Sequence, residues 1–210
     1  MLGIFISSGF NNIATINSII SKVNYRLSIL KEIFKYSNFR TKLMLTNSII
    51  ISIIRYASPI LISSSNIQIS KLQVLIMKCS RPILGYISLK FSTQKIMQQL
   101  KWLTAYQLIT KESVLFMHKV IFNNQPQAIS DLITFSLSNN QNHRAARKPI
   151  IIDIHNSKKV KKSLIYMGTF LYNKLPLDIK NKNPKRLSKY LQDNIHHYFP
   201  FDRILNYDPG

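Results

Sequence analysis

Residues 69–85 read Ile-Ser-Lys-Leu-Gln-Val-Leu-Ile-Met-Lys-Cys-Ser-Arg-Pro-Ile-Leu-Gly. Ile69, Leu72, Ile76, Cys79 and Ile83 recur at three- and four-residue steps, which lays them along one face of a helix. Lys71, Lys78 and Arg81 fall on another face. Lys71 and Lys78 are nearly two turns apart and so lie in line, with Arg81 one turn further on. Pro82 and Gly85 supply a stop. A helix docked by one face, with cations in a row on the other, suits contact with successive phosphates. Taken alone, the same pattern equally suits an ordinary solvated face.

Upstream, Ile13, Ile16, Ile20, Val23, Leu27, Leu30 and Phe34 mark a long amphipathic helix, with Lys22, Arg26 and Lys35 off its apolar stripe. Ser37-Asn38 caps a second helix over about 40–57, with Leu43, Ile50, Ile54 and Leu61 as its stripe, Asn47 between them, and Pro59 bending or ending it. Residues 63–66 form a polar linker with capping residues. Residues 2–7 suit a strand, which either joins a small sheet later in the chain or is the remnant of a larger sheet upstream.

Downstream, helices are expected over about 93–100 and 104–122. The second has Tyr106, Ile109, Phe116 and Val120 on its core face, and Trp102 between the two reads as core. Residues 123–126 end that helix, 127–137 resume one, 138–148 form an exposed polar loop, and 150–154 suit a short strand. Residues 164–175 read as a helix stopped by Pro176. Asn183-Pro184 starts a final helix bearing Leu187, Tyr190, Leu191 and Ile195. The expected fold is mainly α: a helical bundle over 1–85, then a basic helical region over 86–210 with at most a small β-hairpin.

The chain has 210 residues, 46% of them hydrophobic, and carries 29 Lys and Arg against 8 Asp and Glu, a formal charge of +21. That excess points to a polyanion, most simply RNA or DNA. Its competitor is an AT-rich genome, whose Ile-, Lys-, Asn- and Ser-rich coding would inflate the charge in a helical interaction or scaffold protein. The densest basic stretch is Arg144, Arg147 and Lys148 followed by Lys158, Lys159, Lys161 and Lys162. It reads as a second nucleic-acid patch, with a localisation signal and a solvated hairpin as alternatives.

Before residue 150 the only acids are Glu32, Glu112 and Asp131, too dispersed for a two-metal polymerase or nuclease site. Cys79 stands alone, which excludes an internal disulfide or a cysteine zinc site and points to a reducing compartment. The N-terminus lacks the basic region of a signal peptide. Residues 43–62 have about the length of a membrane span, but Asn47, Arg55 and several serines interrupt them, so a buried core helix is expected and no membrane partner. His196-His197 diverge around a helix and have no completing carboxylate, which favours a role as helix-end cations over a metal site.

The order of segments resembles the region just beyond the catalytic palm in reverse transcriptases of non-LTR retrotransposons. Leu2-Gly3-Ile4-Phe5-Ile6 looks like the last palm strand. Tyr25-Arg26-Leu27-Ser28-Ile29-Leu30 resembles the end of the first thumb helix, and Asn47-Ser48 with Tyr56-Ala57-Ser58-Pro59 the next. Leu72-Gln73 followed by Lys78-Cys79-Ser80-Arg81-Pro82-Ile83-Leu84-Gly85 is similar to a thumb motif of the family, with Pro82 where a helix former is usual. Leu100-Lys101-Trp102-Leu103, residues 122–131 and Tyr172-Asn173-Lys174-Leu175-Pro176 resemble marks of the C-terminal tail. The resemblance spans nearly the whole chain and keeps the family order. It implies a thumb-like bundle gripping a template–product duplex of RNA and DNA. The catalytic aspartates and their Mg²⁺ would belong to a palm lying before Leu2, so no cofactor and no catalytic residue is expected here. An upstream palm and fingers polypeptide and the element RNA are the implied partners.

Overall fold

A computed structural model describes residues 12–85, 92–135, 149–150 and 163–198. Among them the chain is mainly α, and it divides into two units, Met1–Leu108 and Ile109–Gly210. The expected strand at 2–7 lies outside the described residues.

The first unit starts with α1, Ile13–Phe34, which buries Ile16, Ile19, Val23, Leu27, Leu30 and Phe34. Ile19 takes the place expected for Ile20, and Ile13 is exposed. Before the helix, the buried Asn12 amide lies 3.2 Å from the Ile60 carbonyl and 2.9 Å from each of the Ser63 and Ser64 hydroxyls. A polar side chain sequestered in this way needs such acceptors, and they tie the start of α1 to the turn that follows the next helical run.

That run is α2, Phe39–Thr46, then a π-helical turn, Asn47–Ile51, then α3, Ser52–Leu61. The Asn38 side chain accepts from the Thr41 N–H and opens it. The Ser52 N–H donates to the Asn47 carbonyl, five residues back, and the wider turn rotates the phase of everything beyond it. As a result Asn47 is exposed and Leu43 only half-buried, while Thr46, Ile50, Ile53, Ile54, Ala57 and Leu61 face the core. The regular stripe through Leu43 and Asn47 is corrected accordingly. The Ile49 carbonyl in this turn accepts from the Arg26 guanidinium at 3.0 Å.

Pro59 does not end the helix, which continues to Leu61; what Pro59 removes is the N–H that would reach the Arg55 carbonyl. By length and composition Phe39–Leu61 could cross a membrane. Here its parts pack on α1 and on the next helix.

That helix is α4, Asn66–Leu84, opened by a capping box in which the Ser65 hydroxyl accepts from the Gln68 N–H and the Gln68 side-chain Oε1 accepts from the Ser65 N–H. All five expected core residues are buried, with Leu75 and Leu84 added. The helix passes through Pro82, which in the last turn forfeits a single backbone bond, and closes at Gly85, whose φ of 61° suits glycine. Burial pushes the Cys79 thiol up to about 12, so it stays protonated and acts as a small apolar side chain.

A short helix, α5 (Thr93–Leu100), follows, capped by the Ser92 hydroxyl. Trp102 is 9% exposed, the core position expected of it. The Gln73 side chain of α4 accepts from the Ala105 N–H at 2.8 Å, where α6 (Ala105–Asn123) begins.

The unit boundary falls within α6. Of its expected core face, Ile109 and Val120 are buried, but Tyr106 and Phe116 are only half-buried. Tyr106 instead donates from its rim position to Asn66. The second unit continues with α7 (Gln127–Ser130) and strands β1 (Thr134–Phe135) and β2 (Pro149–Ile150), paired antiparallel with Thr134 opposite Ile150. The expected helix over 127–137 therefore stops at Ser130, since the β-branched and aromatic pair Thr134-Phe135 finds a strand partner. Then come α8 (Leu164–Asn173), α9 (Leu177–Lys180) after Pro176, and α10 (Pro184–Tyr198). Val114, Met117, His118, Leu171, Tyr172, Leu187, Leu191 and Ile195 are buried in this unit.

α8 approaches α6 closely at Gly168, where an added Cβ would stand 2.5 Å from Met117 Cγ. Gly168→Val should therefore lower unfolding free energy by about 1–3 kcal/mol in urea titration, and Gly168→Val with Met117→Ala should recover part of the loss. Equal stability of Gly168→Val and the parent would contradict this packing.

His118 is fully buried, its ring stacked on Phe122 and its Nδ1 3.3 Å from the Tyr172 hydroxyl. Burial pushes its pKa below the usual histidine value, with the Lys182 backbone opposing. On acidification the unfolded chain takes up a proton that the folded one resists. The neutral ring's stability contribution is thus complete above about pH 6.5 and declines as pH falls below it. Melting temperature should fall between pH 7.5 and 5.5, and His118→Gln should flatten that fall; an unchanged slope would show that another group sets it.

Candidate nucleic-acid interface

With Leu72, Leu75, Ile76 and Cys79 buried, the roll of α4 is fixed and its outer stripe is Ile67, Lys71, Val74, Lys78 and Arg81, all exposed. Lys71, Lys78 and Arg81 thus stand together on one face, as the sequence spacing requires. From Lys71 to Arg81 the row spans roughly 15 Å of helix axis at 1.5 Å per residue.

The cations are not equivalent. Lys78 donates to the Asn24 side chain of α1 at 2.8 Å, which holds its ammonium at the α1 edge of the row. Arg81 offers a planar fork suited to bidentate phosphate contact, whereas Lys71 is a flexible point charge. The two fixed points, Asn12 at the turn before α4 and Asn24 at Lys78, show that α1 and α4 run side by side in the same direction. Tyr25, next to Asn24, is 69% exposed.

Asn24 is the residue that sequence reasoning missed. Its relation to the row depends on which turn of α1 meets which turn of α4, and no local pattern records that. The electrostatics favour an anion throughout the first unit. Glu32 is its single acidic residue by sequence, and it is paired with Lys35. Lys31, Arg40 and Lys95 are exposed as well, so the field around α4 is positive.

Arg144, Arg147, Lys148, Lys158, Lys159, Lys161 and Lys162 lie outside the described residues. The described part of the second unit has instead a basic face on α10 and the turn before it, at Lys182, Lys185, Arg186 and Lys189. His196 and His197 are exposed near the end of α10, with ring centroids 4.3 Å apart. Among the described residues no group of three or more His, Cys, Asp or Glu side chains converges to hold a metal ion.

Comparison of the chain with protein-family models, with curated proteins and with solved structures returns no match.

Proposed function

We propose that this chain is a nucleic-acid-binding, thumb-and-tail part of a non-LTR retrotransposon reverse transcriptase, with no catalytic site of its own. The observation that carries the reading is the α4 row: Lys71, Lys78 and Arg81 exposed on one stripe, with the opposite face locked in the core. Such a row binds by neutralising phosphates and releasing their counterions, which makes affinity independent of sequence and steeply dependent on salt. Lys78, braced by Asn24, sets the register, and Lys71 and Arg81 reach phosphates to either side. The partner is a template–product duplex of RNA and DNA, and the chemistry of synthesis, with its Mg²⁺, belongs to an upstream palm.

One observation favours a second reading, a helical interaction protein. Tyr25, Ile29 and Ile33 on the outer side of α1, with Tyr36 in the turn after it, are exposed apolar residues, a feature that suits a protein partner. Under that reading the positive charge is incidental.

Binding of the full chain to a short mixed-sequence RNA–DNA hybrid, followed across salt, separates the two. The parent should lose affinity steeply with salt. The triple variant Lys71→Gln, Lys78→Gln, Arg81→Gln should lose about 2–3 units of the log–log slope at unchanged helical content. A flat profile for the parent, or an unchanged slope for the variant, would overturn the proposal for α4. Primer extension with Mg²⁺ should be absent, and robust extension would refute the inactive-part reading.

A further inference from the structure

We propose that α10 and the turn before it form a second nucleic-acid contact, separate from α4, in which Lys182, Lys185, Arg186 and Lys189 hold the sugar–phosphate backbone. The inference rests on the nucleic-acid reading above for the nature of the partner, but on different residues.

The roll of α10 is fixed by Leu187, Leu191 and Ile195, each 0% exposed. That places Lys185, Arg186 and Lys189 on the solvent side, where all three are exposed. Lys185 and Lys189 are one turn apart and Arg186 flanks them, so three cations cover one patch of helix surface. Lys182, in the preceding turn, has its ammonium 4.5 Å from the centroid of the Tyr190 ring. That ring is held in turn by the Tyr190 hydroxyl, 2.7 Å from the Tyr198 hydroxyl. The cation–π contact therefore extends the basic surface around the helix from Lys189 towards Lys182.

This placement works against local stability. The first turn of α10 contains no acidic residue, and cations there oppose the positive end of the helix dipole, where acids are favoured. The first carboxylate of the helix, Asp193, comes one turn after Lys189. Cations placed against the dipole on an otherwise well-capped helix are a local conflict of the kind a surface built for an external anion shows. The helix end is not the site itself, because the Asn183 side chain already accepts from the Arg186 N–H at 2.9 Å. The side-chain cations make the contact.

A nucleic acid suits this face better than an anionic membrane. The exposed positions of α10 are Lys185, Arg186, Lys189, Asp193, His196 and His197, while its apolar side is consumed by the core. An interfacial helix needs a free apolar face to insert among lipids.

The test uses the full chain and three variants: Lys185→Gln, Arg186→Gln, Lys189→Gln together; the conservative Lys185→Arg, Lys189→Arg; and the α4 triple variant for comparison. With the RNA–DNA hybrid as probe, the α10 glutamine variant should bind at least about tenfold more weakly at low salt and lose about 2–3 units of the log–log salt slope. The arginine variant should keep the parental slope, which a merely structural role of these positions would not predict. The two glutamine sets combined should lose the sum of their separate slope changes. An unchanged slope for the α10 glutamine variant overturns this inference whatever α4 does. A loss confined to the α10 variant upholds it while removing the role of α4. Retained hybrid binding with loss of binding to phosphatidylserine vesicles would assign the face to lipid and overturn it as well.

Discussion

Burial of one face of α4 against α1 is the constraint on which the rest of the first unit depends. Leu72 and Cys79 are 0% exposed and Ile76 1%, with Val23 and Leu27 of α1 buried to a similar degree. Each large apolar side chain removed from water contributes about 1.5–3 kcal/mol. Rotating α4 by a single residue, about 100°, would lift several of them out and press lysines in. The exposed cation row is therefore a consequence of the core. The polar ties act on the same seam: Asn12 anchors the start of α1 at the turn before α4, and Asn24 meets Lys78 further along.

Set against this packing is the charge. A unit with one acid, Glu32, repels itself, and the core must outweigh that repulsion in the free protein. A bound polyanion would relieve it and so stabilise the fold by linkage. The same opposition recurs on α10, where cations occupy the end of the helix that the dipole favours least.

The long helices were legible in the sequence because their apolar period matches 3.6 residues for several turns. α4 opens at a capping residue of the 63–66 linker, Ser65, and α10 at Asn183, and the core faces of α4 and α10 follow the periodicity. What was not legible arises where that period changes or where tertiary pairing decides. The π turn at Asn47–Ile51 shifts the phase by a fraction of a turn, which no fixed-period reading can register, and so Asn47 leaves the core side. Pro59 and Pro82 sit within helices whose packing outweighs the one backbone bond each proline removes. Thr134-Phe135 becomes a strand because Pro149-Ile150 is available to pair with it. In the candidate site the row Lys71, Lys78 and Arg81 could be read from spacing alone. Its neighbour Asn24 could not, nor could the basic face of α10, whose cations look in sequence like any solvated helix.

The measurement that bears most directly on the central claim is lysine acetylation of the full chain, read residue by residue by mass spectrometry with and without a saturating RNA–DNA hybrid. A duplex seated on α4 should slow modification of Lys71 and Lys78 several-fold and leave Lys31 and Lys95 unchanged. Equal modification of Lys71 and Lys78 in the free and hybrid-bound chain would contradict the account.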